Sequence, residues 1–245
     1  MTHFFKSGIL TLLLASAALA QQTATPATAA EVGMDTSAMV KETQQIDQHS
    51  SKMGLFWWVP VEFWEQSAMK SGISAEEARQ YFKPLRDYNM FLIGIGTLRL
   101  GTIDWRSDAD VRKSIVLRDQ AGNTYKPLET VSADARSFND ILKPMFKNML
   151  GQFGEGVRII YFPIKDSTGN IFADPRRSSE FSLVVTGLID SGNNVYTWRL
   201  PLSSMTPPRY CPVGKEKLDA SWKYCPWHGN KLEDTAVAPA PVKPK

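Results

Sequence analysis

Short runs of β-forming residues separated by turn sequences constrain the fold of this chain more than any other feature. Residues 119–123, 166–170 and 191–194 are rich in Asp, Asn, Ser and Gly, and each stands between two such runs. The turns at residues 119–123 and 191–194 predict β-hairpins, and short strands with repeated turns of this kind favour antiparallel sheets. The predicted strands cover residues 55–59, 90–100, 112–118, 124–127, 156–164, 180–189 and 195–200.

Two helices are predicted between the first two of these strands. Pro60 suits the first turn of a helix, where the N–H that proline lacks has no helical partner anyway. Ser74 and Glu77 form a capping box, which marks the start of the second helix. Pro84 is expected to shorten that helix, because proline disrupts a helix interior. Together these signals predict a helical hairpin.

A longer helix is predicted over residues 137–150, where apolar residues recur three and four positions apart. Pro144 interrupts the pattern, and the helix stands between two predicted strands. Residues 36–51 predict at best a weakly amphipathic helix. The predicted fold class is α+β: mainly an antiparallel β-sandwich with an N-terminal helical hairpin, an inserted helix and a small C-terminal module.

The centre of the chain carries a resemblance, in the sequence IVLRDQAGNTYKP at residues 115–127. A strand, an acidic turn with glycine, and then tyrosine and proline make it similar to a hairpin of exported bacterial immunoglobulin-like domains. The resemblance implies an immunoglobulin-like β-sandwich. The helix predicted over residues 137–150 departs from a plain sandwich of that family.

The N-terminus has the three parts of a secretory signal peptide. Lys6 precedes an apolar run at residues 8–17, and Ala-Leu-Ala at residues 18–20 provides a cleavage site. The run is too short to span a bilayer as a helix, and no later stretch is long and apolar enough. We therefore expect cleavage after Ala20, a periplasmic or secreted protein, and no transmembrane segment.

Changes in composition divide the chain into five parts. Residues 1–20 are the signal peptide, and residues 21–52 are a linker that includes the weak helix. Residues 53–205 form the domain with the helical hairpin and the β-sandwich. Residues 206–234 are a module with both cysteines, and residues 235–245 are an Ala/Pro/Lys tail expected to be disordered.

Charge and motif content exclude several function classes. The chain has 28 Lys and Arg against 25 Asp and Glu, too balanced to predict a nucleic-acid partner. The glycines within residues 94–101 do not have the spacing of a dinucleotide site. Beyond the signal peptide only His49 and His228 could serve a Ser–His or Cys–His mechanism. No catalytic constellation is evident, so an enzyme is not expected.

A tryptophan-rich stretch offers a candidate binding surface. Trp57, Trp58 and Trp64 lie in the most apolar part of the chain beyond the signal peptide. The favoured interpretation is core packing, because buried aromatic side chains contribute large apolar areas. The alternative is a platform that stacks on a sugar or touches a membrane.

The C-terminal module has the sequence YCPVGKEKLDASWKYCPWHGNKL at residues 210–232. Proline after each cysteine, an aromatic residue before it and glycine nearby resemble the two C-P-x-C-G knuckles of a zinc ribbon. Gly214 stands where the first knuckle has its second cysteine, and His228 stands at that place in the second. The resemblance implies Cys211, Cys225 and His228 as metal ligands, with the fourth ligand absent.

A disulfide between Cys211 and Cys225 competes with the metal site. An exported protein meets an oxidising compartment, which favours disulfides, and closing such a loop contributes about 3 kcal/mol in the chain-entropy model. We favour the disulfide over the metal, and a third alternative, two free thiols in a degenerate ribbon, comes last. No cofactor is expected unless the module binds zinc.

The leading functional expectation is an exported, non-enzymatic binding or assembly protein, with another envelope or extracellular protein as its partner. A second is a zinc-binding protein that uses Cys211, Cys225 and His228 for storage or hydrolysis. A third is a carbohydrate-binding or carbohydrate-active protein that uses the three tryptophans, with a glycan as ligand.

Overall fold

The computed structural model describes residues 34–206, 209–219 and 221–232. The signal peptide at residues 1–20 and the tail at residues 235–245 lie outside these ranges. The described residues form an α+β fold with antiparallel sheets and six α-helices. Within them, no helix is both long and apolar enough to cross a membrane.

The elements follow one another with short connections. The helices are α1 Thr36–Thr43, α2 Val61–Lys70, α3 Ala75–Phe82, α4 Asp108–Ser114, α5 Ala133–Leu150 and α6 Gln152–Gly156. The strands are β1 Gln44–His49, β2 Lys52–Val59, β3 Tyr88–Arg99, β4 Thr102–Trp105, β5 Ile115–Arg118, β6 Thr124–Tyr125, β7 Arg158–Pro163, β8 Ser179–Thr186, β9 Asn193–Leu200, β10 Arg209–Tyr210 and β11 Lys217–Leu218.

These strands form three sheets. The first has the order β1-β2-β3-β4, with β7 also paired to β3. The second has the order β6-β5-β8-β9, and β10 pairs with β11 in the C-terminal module. All of these pairings are antiparallel, as the hairpin turns predicted.

The long strand β3 is buried on both faces. Phe91 and Ile93 belong to a core cluster shared with the second sheet. Met90 and Leu92 belong to a second cluster, shared with the helices. Burial on both faces explains why this strand is apolar throughout instead of alternating.

Aromatic side chains of the two large sheets contact each other directly. The ring of Phe56 on β2 stacks on Tyr196 of β9, with centroids 4.0 Å apart. Trp58 meets Phe181 of β8 edge to face at 4.9 Å. Such pairs stabilise a core beyond the area they bury.

The opposite face of the first sheet is covered by α2, α3 and α5. Phe138 of α5 packs edge-on against Trp64 and Phe82, at centroid distances of 5.2 and 5.7 Å. The predicted capping box is confirmed, because Ser74 and Glu77 bond each other's backbone N–H groups. The helical hairpin is therefore an integral layer of the domain.

Two sequence predictions are wrong in their secondary structure. Residues 112–118 were expected as one strand, but helix α4 occupies their first part and β5 only residues 115–118. The reason is a helix cap, since the Ser107 hydroxyl accepts a hydrogen bond from the Asp110 N–H at 3.1 Å. Short helices of this kind leave little periodic signal.

The second error concerns residues 36–51. Helix α1 ends at Thr43, and β1 then pairs along β2. Met39 is fully buried, and the Trp198 Nε1–H donates to the Thr43 carbonyl at 2.7 Å. Residues 34–52 therefore belong to the fold, and the predicted linker does not extend through them.

Candidate metal centre

The C-terminal module has a very small core of its own. Its buried cluster consists of Cys211, Leu218, Cys225 and Leu232. One two-residue ladder, β10 with β11, accompanies it. Half of this core is therefore made of the two thiols.

The two cysteines sit in matching turns. The Cys211 carbonyl accepts from the Lys215 N–H at 3.0 Å, and the Cys225 carbonyl accepts from the Gly229 N–H at 2.8 Å. Lys215 and Gly229 have φ values of 61° and 67°, in the left-handed region. The sequence resemblance between the two knuckles thus corresponds to similar backbone geometry in the two turns.

The His228 ring joins the two turns. Its Nδ1 lies 3.3 Å from the Cys211 Sγ and 3.5 Å from the Cys225 Sγ. A Glu216 carboxylate oxygen is 3.9 Å from the same nitrogen. The candidate ligand atoms of all four residues lie within 4.8 Å of one another.

The two sulfur–nitrogen distances match a tetrahedral zinc site. With Zn–S bonds of about 2.3 Å and Zn–N bonds of about 2.0–2.1 Å, sulfur and nitrogen ligands lie roughly 3.5 Å apart. Cys211, Cys225 and His228, which the sequence proposed as ligands, are therefore brought together. The donor set of thiolates, imidazole and carboxylate suits zinc.

The structure departs from the favoured sequence expectation of a disulfide. Cys211 and Cys225 are both buried free thiols, whereas a disulfide requires a sulfur–sulfur bond of about 2.05 Å. The physical reason is the position of the His228 ring, whose Nδ1 lies within 3.5 Å of both sulfurs.

The environment of Cys225 lowers the pKa of its thiol. Burial raises the pKa of this thiol, but hydrogen bonds from the backbone and ring of His228 and from the backbone of Trp227 outweigh it, so the pKa is lowered. The thiolate is the form that binds metals.

Sequence reasoning missed Glu216. It lies two residues after the position of the missing cysteine, outside the knuckle pattern. Its acidic side chain between the two cysteines was the available signal. Asp219 offered the same signal and does not belong to the group of candidate ligands.

The three tryptophans for which a ligand platform was the alternative to core packing do not form an exposed surface. Trp58 and Trp64 are 1% and 5% exposed. Trp57 is half-buried, and its Nε1–H donates to the Thr43 hydroxyl at 3.0 Å. The structure therefore places these side chains as packing residues.

The acidic residues of α2 are held by arginines. Glu62 and Glu65 are each 8% exposed. Arg176 donates to Glu62 at 2.7 Å, and Arg86 donates to Glu65. Burial raises the pKa of Glu65, and the Arg86 charge opposes that shift. These pairs account for both acids without a glycosidase mechanism.

An apolar groove opens between α2, α3 and α5. Its volume is about 710 Å³, within the range of about 300–1,000 Å³ that ligand sites occupy. Tyr81 and Ile141 at its rim are 42% and 43% exposed. Its apolar lining is Trp64, Ala68, Ile73, Ala78, Tyr81, Phe82, Phe138, Ile141, Leu142 and Met145.

Comparisons with known proteins define no family for this chain. No protein-family model and no curated protein matches it. A crystal structure of a DUF4426 family protein from Pseudomonas aeruginosa PAO1 is similar over 64% of this chain and 93% of that chain, at 10% identity and a TM-score of 0.28. A likeness this low supports no argument about fold or function.

Proposed function

We propose that this chain is an exported, non-enzymatic binding or assembly protein whose C-terminal module is held by zinc at Cys211, Cys225 and His228. The observation that carries the zinc site is the approach of the His228 Nδ1 to within 3.5 Å of both sulfurs. Export rests on the signal sequence alone. Another envelope or extracellular protein is the proposed partner.

Zinc would supply the stability that the module lacks. Structural zinc sites contribute folding free energy directly, because the unfolded chain has no preformed site. The module buries two leucines and two thiols, and a cross-link at the thiols joins both turns. Because a sulfur in a disulfide cannot bind zinc, the metal also keeps the thiols from pairing in an oxidising compartment.

The larger domain would act as the rigid scaffold. We propose that its two sheets form a β-sandwich of immunoglobulin-like type, supported by the ring contacts of Phe56 with Tyr196 and of Trp58 with Phe181. The three helices on the outer face of the first sheet are additions to such a sandwich.

The two histidines beyond the signal peptide provide a matched test. Full-length mature protein with wild-type sequence should bind one zinc ion per chain in a competition titration with a chelating dye. His228→Ala should weaken zinc binding by at least about tenfold. His49→Ala changes an exposed residue outside the module and should leave zinc binding unchanged. Wild-type protein without zinc affinity would refute the proposal.

The apolar groove favours a second candidate function, the binding of a hydrophobic small molecule such as a fatty acid. The groove's size and its largely apolar lining, which includes Ser67, Glu77 and Gln80 as polar residues, support this. The site is separate from the zinc module, so both functions are compatible.

A fluorescent fatty acid, cis-parinaric acid, tests the groove. Ile141→Glu places a charge at the half-exposed rim and should weaken saturable binding several-fold. Val195→Glu is the control, because Val195 is 48% exposed on β9, outside the groove lining. Equal binding by the two variants, or none by wild type, would exclude this function.

A further inference from the structure

We propose that Glu216 is the fourth zinc ligand and replaces the cysteine that a zinc ribbon has at position 214. This inference rests on the proposed zinc function and completes its site. Three observations support it: the equivalence of the two turns, the space that the Glu216 carboxylate fills, and an unpaired carboxylate oxygen.

The first observation identifies position 214 as the vacant ligand position. The Cys211 N–H donates to the Glu216 carbonyl at 3.0 Å, and the Cys225 N–H donates to the Asn230 carbonyl at 2.8 Å. Both bonds span the same number of residues. Gly214 in the first turn therefore corresponds to His228 in the second, each three residues after its cysteine.

The second observation is steric. A Cβ atom built on Gly214 would lie 2.0 Å from the Glu216 Oε1 and 2.4 Å from its Cδ. Real contacts are never this short, so a side chain at position 214 would displace the Glu216 carboxylate from its present position. The carboxylate occupies the volume from which a ligand at 214 would reach the metal.

The third observation is chemical. The Glu216 side chain is 40% exposed, but its Oε2 atom is buried and has no hydrogen-bond partner among the described residues. The neighbouring ammonium group of Lys215 donates to the Pro212 carbonyl at 2.7 Å. A buried carboxylate oxygen without a partner is costly, and a bound cation beside it would remove that cost.

A fourth protein ligand decides what kind of zinc site this is. Catalytic zinc sites have three protein ligands and an open position for water, whereas structural sites have four. With Glu216 bound, Cys211, Cys225, His228 and Glu216 form a closed set. The site therefore stabilises the module and does not hydrolyse a substrate, which separates it from the hydrolytic alternative.

Glu216→Ala in the full mature protein tests the assignment against Asp219→Ala, an acid of the same module outside the ligand group. Glu216→Ala should weaken zinc binding by at least about tenfold, and the visible absorption spectrum of its Co²⁺ complex should shift, because water replaces the carboxylate at the fourth position. Asp219→Ala should match wild type in both measurements.

A swap variant guards against simple misfolding. Gly214→Cys with Glu216→Ala restores the ribbon's own ligand and should recover wild-type affinity, with stronger sulfur-to-cobalt charge-transfer absorption from a third thiolate. Glu216→Ala with unchanged affinity and spectrum would overturn the assignment while leaving the zinc function intact. Failure of the swap to recover binding would also overturn it. Wild-type protein without zinc would instead refute the proposed function.

Discussion

The large domain and the C-terminal module reach a folded state by different means. The domain has two extensive apolar clusters. Aromatic rings contact each other between the two sheets in one cluster and between helices in the other. The module has four buried residues, of which two are cysteines. Its tryptophans are exposed, Trp222 by 40% and Trp227 by 66%.

This difference indicates which part of the chain needs a cross-link, either a metal or a disulfide, in addition to apolar packing. Burial of apolar area must exceed the conformational entropy lost on folding. The domain can meet that requirement with its own side chains, whereas small modules of this size need a metal or a disulfide. The free thiols and the His228 ring point to the metal.

Metal removal should produce the largest difference between the two regions. Because structural zinc contributes about 10–16 kcal/mol of apparent binding free energy at neutral pH, a chelator should unfold the module and leave the domain folded. Hydrogen exchange followed by mass spectrometry should show lost protection at residues 209–219 and 221–232, with β8 and β9 unchanged. Equal protection of the module with and without chelator would contradict the comparison.

Truncation of a side chain in the domain core should destabilise the domain and leave the module unchanged. Trp58→Ala removes a fully buried ring that contacts Phe181. We expect the free energy of unfolding of the domain to fall by about 3–5 kcal/mol, measured by urea denaturation. Zinc affinity should stay at the wild-type value. A parallel loss of zinc would show that the module depends on the domain for its fold.

The turn at Asp119 provides a pH-dependent test of the domain. Burial alone would raise the pKa of this carboxyl, but hydrogen bonds from Asn123 and Tyr125 lower it more. Asp119→Ala should therefore reduce stability by about 1–3 kcal/mol. The difference in stability between wild type and variant should be full above about pH 4, the ordinary aspartate pKa. It should disappear as the pH falls through the lower pKa that Asp119 has in the folded protein.

A matched acid tests the importance of burial in that turn. Asp166 accepts comparable hydrogen bonds from the N–H groups of Thr168 and Asn170 at 2.8 and 2.9 Å, but it is only partly buried, whereas Asp119 is buried. Asp166→Ala should reduce stability less than Asp119→Ala does. A pH-independent loss at Asp119, or equal losses at both positions, would refute this explanation.

The smallest effect is expected from the module's surface. Trp227→Ala removes an exposed ring 6.3 Å from Trp222 and keeps the backbone N–H that Cys225 uses. We expect a change below about 0.5 kcal/mol in stability and an unchanged zinc titration. A large loss of stability would mean that the aromatic surface, not the metal, orders the module.

Much of the fold was predictable, because its signals are local. The capping box at Ser74 and Glu77 and the turns after β5 and β7 are encoded in adjacent residues, and the structure has them where expected. Strand β1 was missed because it is a polar edge strand, with Ile46 70% exposed. Only its pairing with β2 defines it, and that pairing is not visible in the local sequence.

The candidate metal ligands also include residues that the local sequence predicts and one that it does not. Cys211, Cys225 and His228 follow a recognisable spacing, so sequence alone suggested them. Glu216 does not, because its carboxylate reaches the site only through the turn at Gly214 and Lys215. The distances of both sulfurs from the His228 ring, on which the proposed metal site rests, cannot be read from the spacing.

Native mass spectrometry of the mature, non-reduced protein tests the central claim most directly. The account predicts a mass increased by one zinc ion per chain, lost on chelation, with two alkylatable thiols at Cys211 and Cys225 afterwards. A metal-free mass lower by two hydrogens, with neither thiol open to alkylation, would show a disulfide and contradict the account.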